Sequence, residues 1–144
     1  MEKTHAGNNK ITDLTYLSEL SRGNEQFVKE MIALFLKENP REIEMLEEGI
    51  RDRNFYAINM AAHKLRSTLP FVGIDRYIQQ EVEEIELISL NNSAVQKLEI
   101  TPDEDYDIKK VEIITMDRKV IRKIESLFPK VKTLCEQARL ELSA

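Results

Sequence analysis

Two histidines, His5 and His63, and one cysteine, Cys135, are the whole imidazole and thiol inventory of this 144-residue chain. His5 lies in a polar, aperiodic opening, MEKTHAGNNK, which reads as a loose tail over residues 1–10 with no pattern to support a site. Cys135 falls within an apolar stripe. Being single, it can form no internal disulfide, and a reducing cytoplasm fits it. His63 is different. It is embedded in a segment where Ile58, Ala61, Ala62, Leu65, Leu69 and Val72 recur at helical spacing. On a wheel of 3.6 residues per turn those residues cluster within roughly 50° of one direction, and His63 falls roughly 150° away. The ring is therefore expected in solvent and not in the core.

The neighbours of His63 on that wheel narrow the chemistry. Asn59 and Arg66 lie on one side, Met60 and Ser67 on the other, with Pro70 one turn further and no carboxylate on the same helix. Arginine meets anions with a fork of donors. A small residue at position 67 leaves room for another protein to approach the ring. Imidazole is nucleophilic and, with an unperturbed pKa of ~6.5, is partly neutral at cellular pH, so it can accept a phosphoryl group. An ordinary solvated histidine remains the competing interpretation of the same geometry.

Other chemistries find little support. No HExxH or CxxC spacing is present, and no metal site is expected. The glycines, Gly7, Gly23, Gly49 and Gly73, are too scattered to build a phosphate-cradling loop, so ATP use is not expected, nor any cofactor. The net charge of −5 and the lack of a basic block argue against nucleic acid. No apolar run approaches the roughly 18 residues of a membrane helix, and no signal peptide opens the chain. With 42% hydrophobic and 33% charged residues, the chain can bury a core beneath a highly charged surface. Four glycines and four prolines exclude collagen-like and most turn-rich β architectures. The length suits one domain.

The elements that would position His63 are helices. Leu14, Leu17 and Leu20 predict a short helix over Thr12–Leu20, broken by Ser21-Arg22-Gly23-Asn24. Asn24 is placed to cap a second, with Glu25 in its first turn. Val28, Ile32, Phe35, Ile43, Leu46 and Ile50 carry that helix past Pro40, which should kink it. Asp52 or Asn54 caps the His63 segment, and Pro70 and Gly73 end it. Asp75 can cap a further helix with Ile78, Val82, Ile85 and Ile88 inward. Ile121, Ile124, Phe128, Val131, Cys135, Ala138 and Leu142 mark a last helix, bent at Pro129. Residues 91–115 fit none of these. Their acidic middle, flanked by VQKLEI and VEIIT, reads as an insertion or long crossover whose flanks could pair as a hairpin. The expected fold is all-α: an antiparallel four-helix bundle over 11–144, with a short extra N-terminal helix and an insertion before the last helix.

Residues 61–74, Ala-Ala-His-Lys-Leu-Arg-Ser-Thr-Leu-Pro-Phe-Val-Gly-Ile, resemble the signature of the histidine-containing phosphotransfer (HPt) family, A-H-x-L-K-[GS]-[SA] with a glycine ten residues after the histidine. His63, Leu65, Ser67 and Gly73 match. Upstream, the leading D-L-x-x-L and the stretch F-V-K-E-M-I-A-L-F-L match as well, so the resemblance spans roughly residues 12–90 and the final helix. It implies a phosphorelay intermediate. His63 would take a phosphoryl group from a receiver-domain aspartate and pass it to a second receiver, including one belonging to a hybrid sensor kinase. Arg66, and less directly Lys64, would screen the added charge. Asn59, Met60, Ser67 and Pro70 would form the docking face. Mg²⁺ would belong to the receiver, and the protein would act as a cytoplasmic monomer, either standing alone or as a fragment of a larger kinase. Four departures accompany the match. Arg66 replaces the usual lysine, Leu69 and Pro70 replace small residues, and Ile85 falls where some members place a glutamine on the adjacent helix. Residues 91–115 are also longer than usual. A helical adaptor with an incidental His63, or a degenerate domain that binds a receiver without accepting phosphate, fits the same composition.

Overall fold

A computed structural model describes residues 10–98 and 106–143, of which 94–98 and 106–117 are described as backbone only. Every element among them is helical: α1 (Thr15–Ser21), α2 (Glu25–Arg51), α3 (Phe55–Thr68), a 3₁₀ turn (Leu69–Val72), α4 (Asp75–Leu98) and α5 (Tyr106–Ser143). Side-chain caps set the starts of α2 and α3. Asn24 Oδ1 accepts from the Phe27 amide at 3.0 Å and Asn54 Oδ1 from the Ala57 amide at 3.1 Å, each satisfying a donor the helix itself leaves orphaned. Asn54 thus caps α3 and Asp52 does not. Asp75 is the first helical residue of α4, where its charge favours the helix dipole.

α2 runs unbroken through Pro40, and α5 through Pro129. Both prolines are exposed, so the carbonyls they leave without an amide partner face water. α3 buries Phe55, Ile58, Ala61, Ala62 and Leu65. It packs against α2 on one side and α4 on the other, and α5 packs against both α2 and α4. The core between these helices includes Leu46, Ile78, Ile85, Ile124, Val131 and Cys135, with Ile74 from the turn before α4. Burial pushes the Cys135 thiol up to about 11, which leaves it an unreactive core residue. No helix among the described residues is long and apolar enough to cross a membrane.

Two expectations change. Residues 91–98 continue α4 and residues 106–115 begin α5, so the hairpin suggested for the flanks of the 91–115 segment is replaced by helix among the described residues. The imperfect alternation in VQKLEI and VEIIT is the reason: a strand needs a strict period of two to bury one face. Residues 99–105 lie outside the described residues, as does the 1–9 tail with His5. The first helix also starts three residues later than its leucines suggest, because the amides before it have other partners. Ile11 and Thr12 amides both donate to the Glu141 carboxylate at 3.0–3.1 Å, Thr12 Oγ1 donates to it at 2.7 Å, and the Asp13 amide donates to the Val72 carbonyl at 2.9 Å. Gly73 completes that junction. Its φ of +79° lies in the left-handed region, and a Cβ there would come within 2.6 Å of the Asp13 carbonyl oxygen.

Partial burial would raise the pKa of Glu141, but hydrogen bonds from Gln137, Thr12 and Ile11 outweigh it and hold the carboxyl at about 2. A carboxyl depressed on folding contributes stability that is present above its ordinary value and lost as pH falls toward the folded one. Glu141→Gln should therefore cost about 1–2 kcal/mol at neutral pH, the low end for charged hydrogen bonds at a half-exposed site. The gap to the parent should close between pH 4.5 and about 2. Denaturant titrations across that range measure it; a gap that stays constant with pH would show that the charge contributes nothing.

Candidate functional site

The segment that carries His63 is held rigidly from beneath. Ala61 and Ala62 are fully buried, and side chains this small let neighbouring helices approach closely. His63 is one position beyond them and turns outward, its side chain 61% exposed. The expected orientation of the ring is thus observed.

The structure adds a residue that the wheel of α3 could not supply. Glu86 of α4 reaches across the seam between the two helices. Its Oε2 lies 2.8 Å from His63 Nδ1, and its Oε1 accepts from Arg66 Nε at 2.5 Å, with Arg66 Nη2 at 3.4 Å from Oε2. Only 17% of the Glu86 side chain is exposed, against 45% for Arg66. Burial acts to raise the Glu86 pKa, yet the hydrogen bonds from Arg66 and then His63 outweigh it and hold the carboxyl below its ordinary range. The Glu86 contact in turn raises the pKa of Arg66. The backbone beneath is also secured, because the Glu86 carbonyl accepts from Asn59 Nδ2 at 2.9 Å and from Ser89 Oγ at 3.0 Å. Asn59 therefore contributes by fastening α3 to α4 at the level of the site.

This arrangement corrects one expectation. The position on the adjacent helix that faces the histidine is Glu86 and not Ile85, which is fully buried in the core. Sequence counting missed it by one residue because register between two helices depends on their connection, here a 3₁₀ turn and a left-handed glycine. Glu86 also sits in the run Glu83-Glu84-Ile85-Glu86, which has the look of a solvated charged face. Its position beside the buried Val82, Ile85 and Ser89 was the signal available.

The remaining residues separate into two groups. Arg66 joins His63 through Glu86, so it is engaged and does not simply project outward. Met60 and Ser67 are exposed on the other flank, and Ser67 Oγ is occupied locally by the Lys64 carbonyl at 2.8 Å. Lys64 is exposed and faces the α2 side, where it acts electrostatically on Glu42 and not on Glu86. Pro70 is half-buried at the start of the 3₁₀ turn and lines a shallow cleft with Arg66, Gln79 and Glu83. No group of three or more His, Cys, Asp or Glu side chains that could hold a metal ion occurs among the described residues.

Chemically, an imidazole that donates Nδ1–H to a carboxylate carries its lone pair on Nε2. No hydrogen bond to His63 Nε2 is present among the described residues, and the side chain is 61% exposed. The site is thus an oriented nitrogen nucleophile beside a cation. Comparison of the chain with family models, with curated proteins and with solved structures returned no match.

If Glu86 sets the tautomer, neutral His63 should carry its proton on Nδ1, which ring-nitrogen NMR reads directly. Glu86→Ala should move the ring toward the tautomer mixture of free imidazole while leaving the amide spectrum of the core unchanged. An unaltered tautomer in that variant would show that Glu86 does not orient the ring.

Proposed function

We propose that the chain is a histidine phosphotransfer protein of the HPt kind, in which His63 Nε2 accepts a phosphoryl group from a receiver-domain aspartate and yields it to another. The observation that carries this reading is an exposed imidazole whose Nδ1 is held 2.8 Å from a carboxylate, with no hydrogen bond to Nε2 among the described residues. The resemblance of residues 61–74 to the HPt signature supports it. So does the packing of four long helices, each against two others, which we read as an antiparallel four-helix bundle with α1 as an added helix.

The geometry accounts for each part of such a transfer. The Nε2 lone pair attacks phosphorus, the P–N bond forms, and the P–O bond to the aspartate breaks with its electron pair returning to that carboxylate. The imidazole ring becomes cationic as this happens. Glu86, already on Nδ1–H, offsets that charge without moving. Phosphorylation adds up to about two negative charges. Arg66 meets them from one turn away, and Lys64 contributes from the opposite flank at longer range. Return of the phosphoryl group reverses the same steps, so no further catalytic group is required of this chain. ATP and Mg²⁺ chemistry are left to the partner, and a cytoplasmic setting follows from that partnership.

The surroundings suit a protein partner. Tyr56 and Met60 on α3 and Leu87 and Leu90 on α4, within about two turns of His63 or Glu86 along their helices, are large apolar side chains exposed to solvent. Apolar side chains grouped near a polar centre are a common mark of a protein interface. Asn59, Met60, Ser67 and Pro70 would lie under the docked receiver.

The test is transfer of radiolabelled phosphate from a phosphorylated receiver domain to the purified chain. The label should be acid-labile and alkali-stable, disappear in His63→Gln and persist in His5→Gln. Label that survives His63→Gln would remove the central claim, and receiver binding with no label on His63 would leave only a docking module. Ser67→Phe should block transfer sterically while changing stability by no more than about 0.5 kcal/mol, since position 67 faces water. Unchanged transfer kinetics in that variant would place the receiver on another face.

A further inference from the structure

Two basic side chains of α3, three residues apart and so neighbours on its surface, converge on one carboxylate of α4. They hold it unequally. His63 brings a single ring nitrogen, Nδ1, to Oε2 at 2.8 Å. Arg66 approaches side-on, its Nε donating to Oε1 at 2.5 Å and its Nη2 lying 3.4 Å from Oε2.

The backbone of Glu86 is already fixed, because its carbonyl accepts from Asn59 Nδ2 at 2.9 Å and from Ser89 Oγ at 3.0 Å. Rotation about the side-chain bonds is what remains, and any other rotamer would carry the carboxylate off the ring nitrogen. His63 is a poor tether against that rotation. Its side chain is 61% exposed, and in the neutral form that acts as a nucleophile it offers one N–H. A guanidinium is always charged and sets its donors in a rigid fork, so it can take one carboxylate oxygen and leave the other directed at Nδ1. Burial works to protonate Glu86, and Arg66 first, His63 second, keep it ionised. The pairing is also selective. Glu83, one turn back on α4, acts electrostatically on Arg66, but its Oε2 accepts from Gln79 Nε2 at 2.8 Å and it forms no ion pair with the guanidinium.

We infer that Arg66 is a positioning residue for the nucleophile: its Nε–Nη2 edge holds the Glu86 carboxylate in place, and the carboxylate in turn holds His63 in the tautomer with its proton on Nδ1. A lysine at position 66 would keep the charge and lose the edge. For the transfer proposed above, and resting on that reading, the consequence is that the Nε2 lone pair is presented to phosphorus at no further cost. Arg66 Nη1, which makes no hydrogen bond among the described residues, is left for the phosphoryl charge.

The experiment reads the ring in the unphosphorylated full chain, so its result does not depend on any receiver. Ring-nitrogen NMR should find neutral His63 with its proton on Nδ1 in the parent. In Arg66→Met the ratio should shift most of the way to the tautomer mixture of free imidazole, with the core amide spectrum unchanged, since Arg66 is 45% exposed. Arg66→Lys should recover only a minor part of the parent ratio. In a Glu86→Ala background, Arg66→Met should change the ratio no further, because Arg66 acts through the carboxylate. The parent ratio retained in Arg66→Met overturns the proposal. So does full recovery by lysine, or an Arg66→Met shift that is undiminished when Glu86 is absent. The expected tautomer dependence in a chain that takes no label from a receiver would support the positioning role and overturn the phosphotransfer reading alone.

Discussion

One carboxylate from α4 answers two basic groups on α3, and the arrangement of the site follows from that meeting. Glu86 can reach His63 and Arg66 only because α3 turns its alanines toward its neighbours and its polar side chains toward the α4 seam. The Asn59 amide grips the Glu86 carbonyl as its carboxylate grips the ring, so backbone and side chain are fixed by the same neighbour. Sites built between packed helices hold their geometry better than sites built on loops. The imidazole is thus oriented by the fold itself, and the cost of ordering it is met during folding.

Much of this could be read from the residues alone, and the reasons are physical. The apolar stripe around His63 is regular, so its outward direction followed from helical periodicity. Asn24 and Asn54 are short polar side chains just before apolar runs, and both cap helices as such residues do. Relations between elements were less accessible. Glu86 was one residue from the expected position because a turn of 3₁₀ geometry rotates α4 relative to α3 in a way that no count along the chain registers. The Glu141 contact joins residues about 130 positions apart, and no local pattern announces such a pairing. The helical form of residues 91–98 and 106–115 was hidden because their charges obscure the continuation of the two helices, a case in which packing context overrides a weak local signal.

α3 has two flanks of opposite electrostatic character. Toward α4, the cations His63 (when protonated) and Arg66 meet a well-bonded carboxylate. Toward α2, Glu42 is buried, and among the described residues its hydrogen bonding is limited to a long contact from Thr68 Oγ1 at 3.5 Å. The contrast shows how the same residue type serves different ends. A carboxylate surrounded by donors fixes geometry, while one held by a single long contact does so far less.

The clasp between Glu141 and the segment at Ile11 and Thr12 bears on how quickly the molecule opens. Its partners can meet only after the intervening helices have brought them together, because closing so long a loop is entropically unfavourable beforehand. Such a contact is absent from an early folding nucleus. It leaves the folding rate nearly untouched and acts on the unfolding rate, so it lengthens the lifetime of the native state. The acidic side chain near one end of the chain is in this sense a latch on the escape route, engaged last and released first.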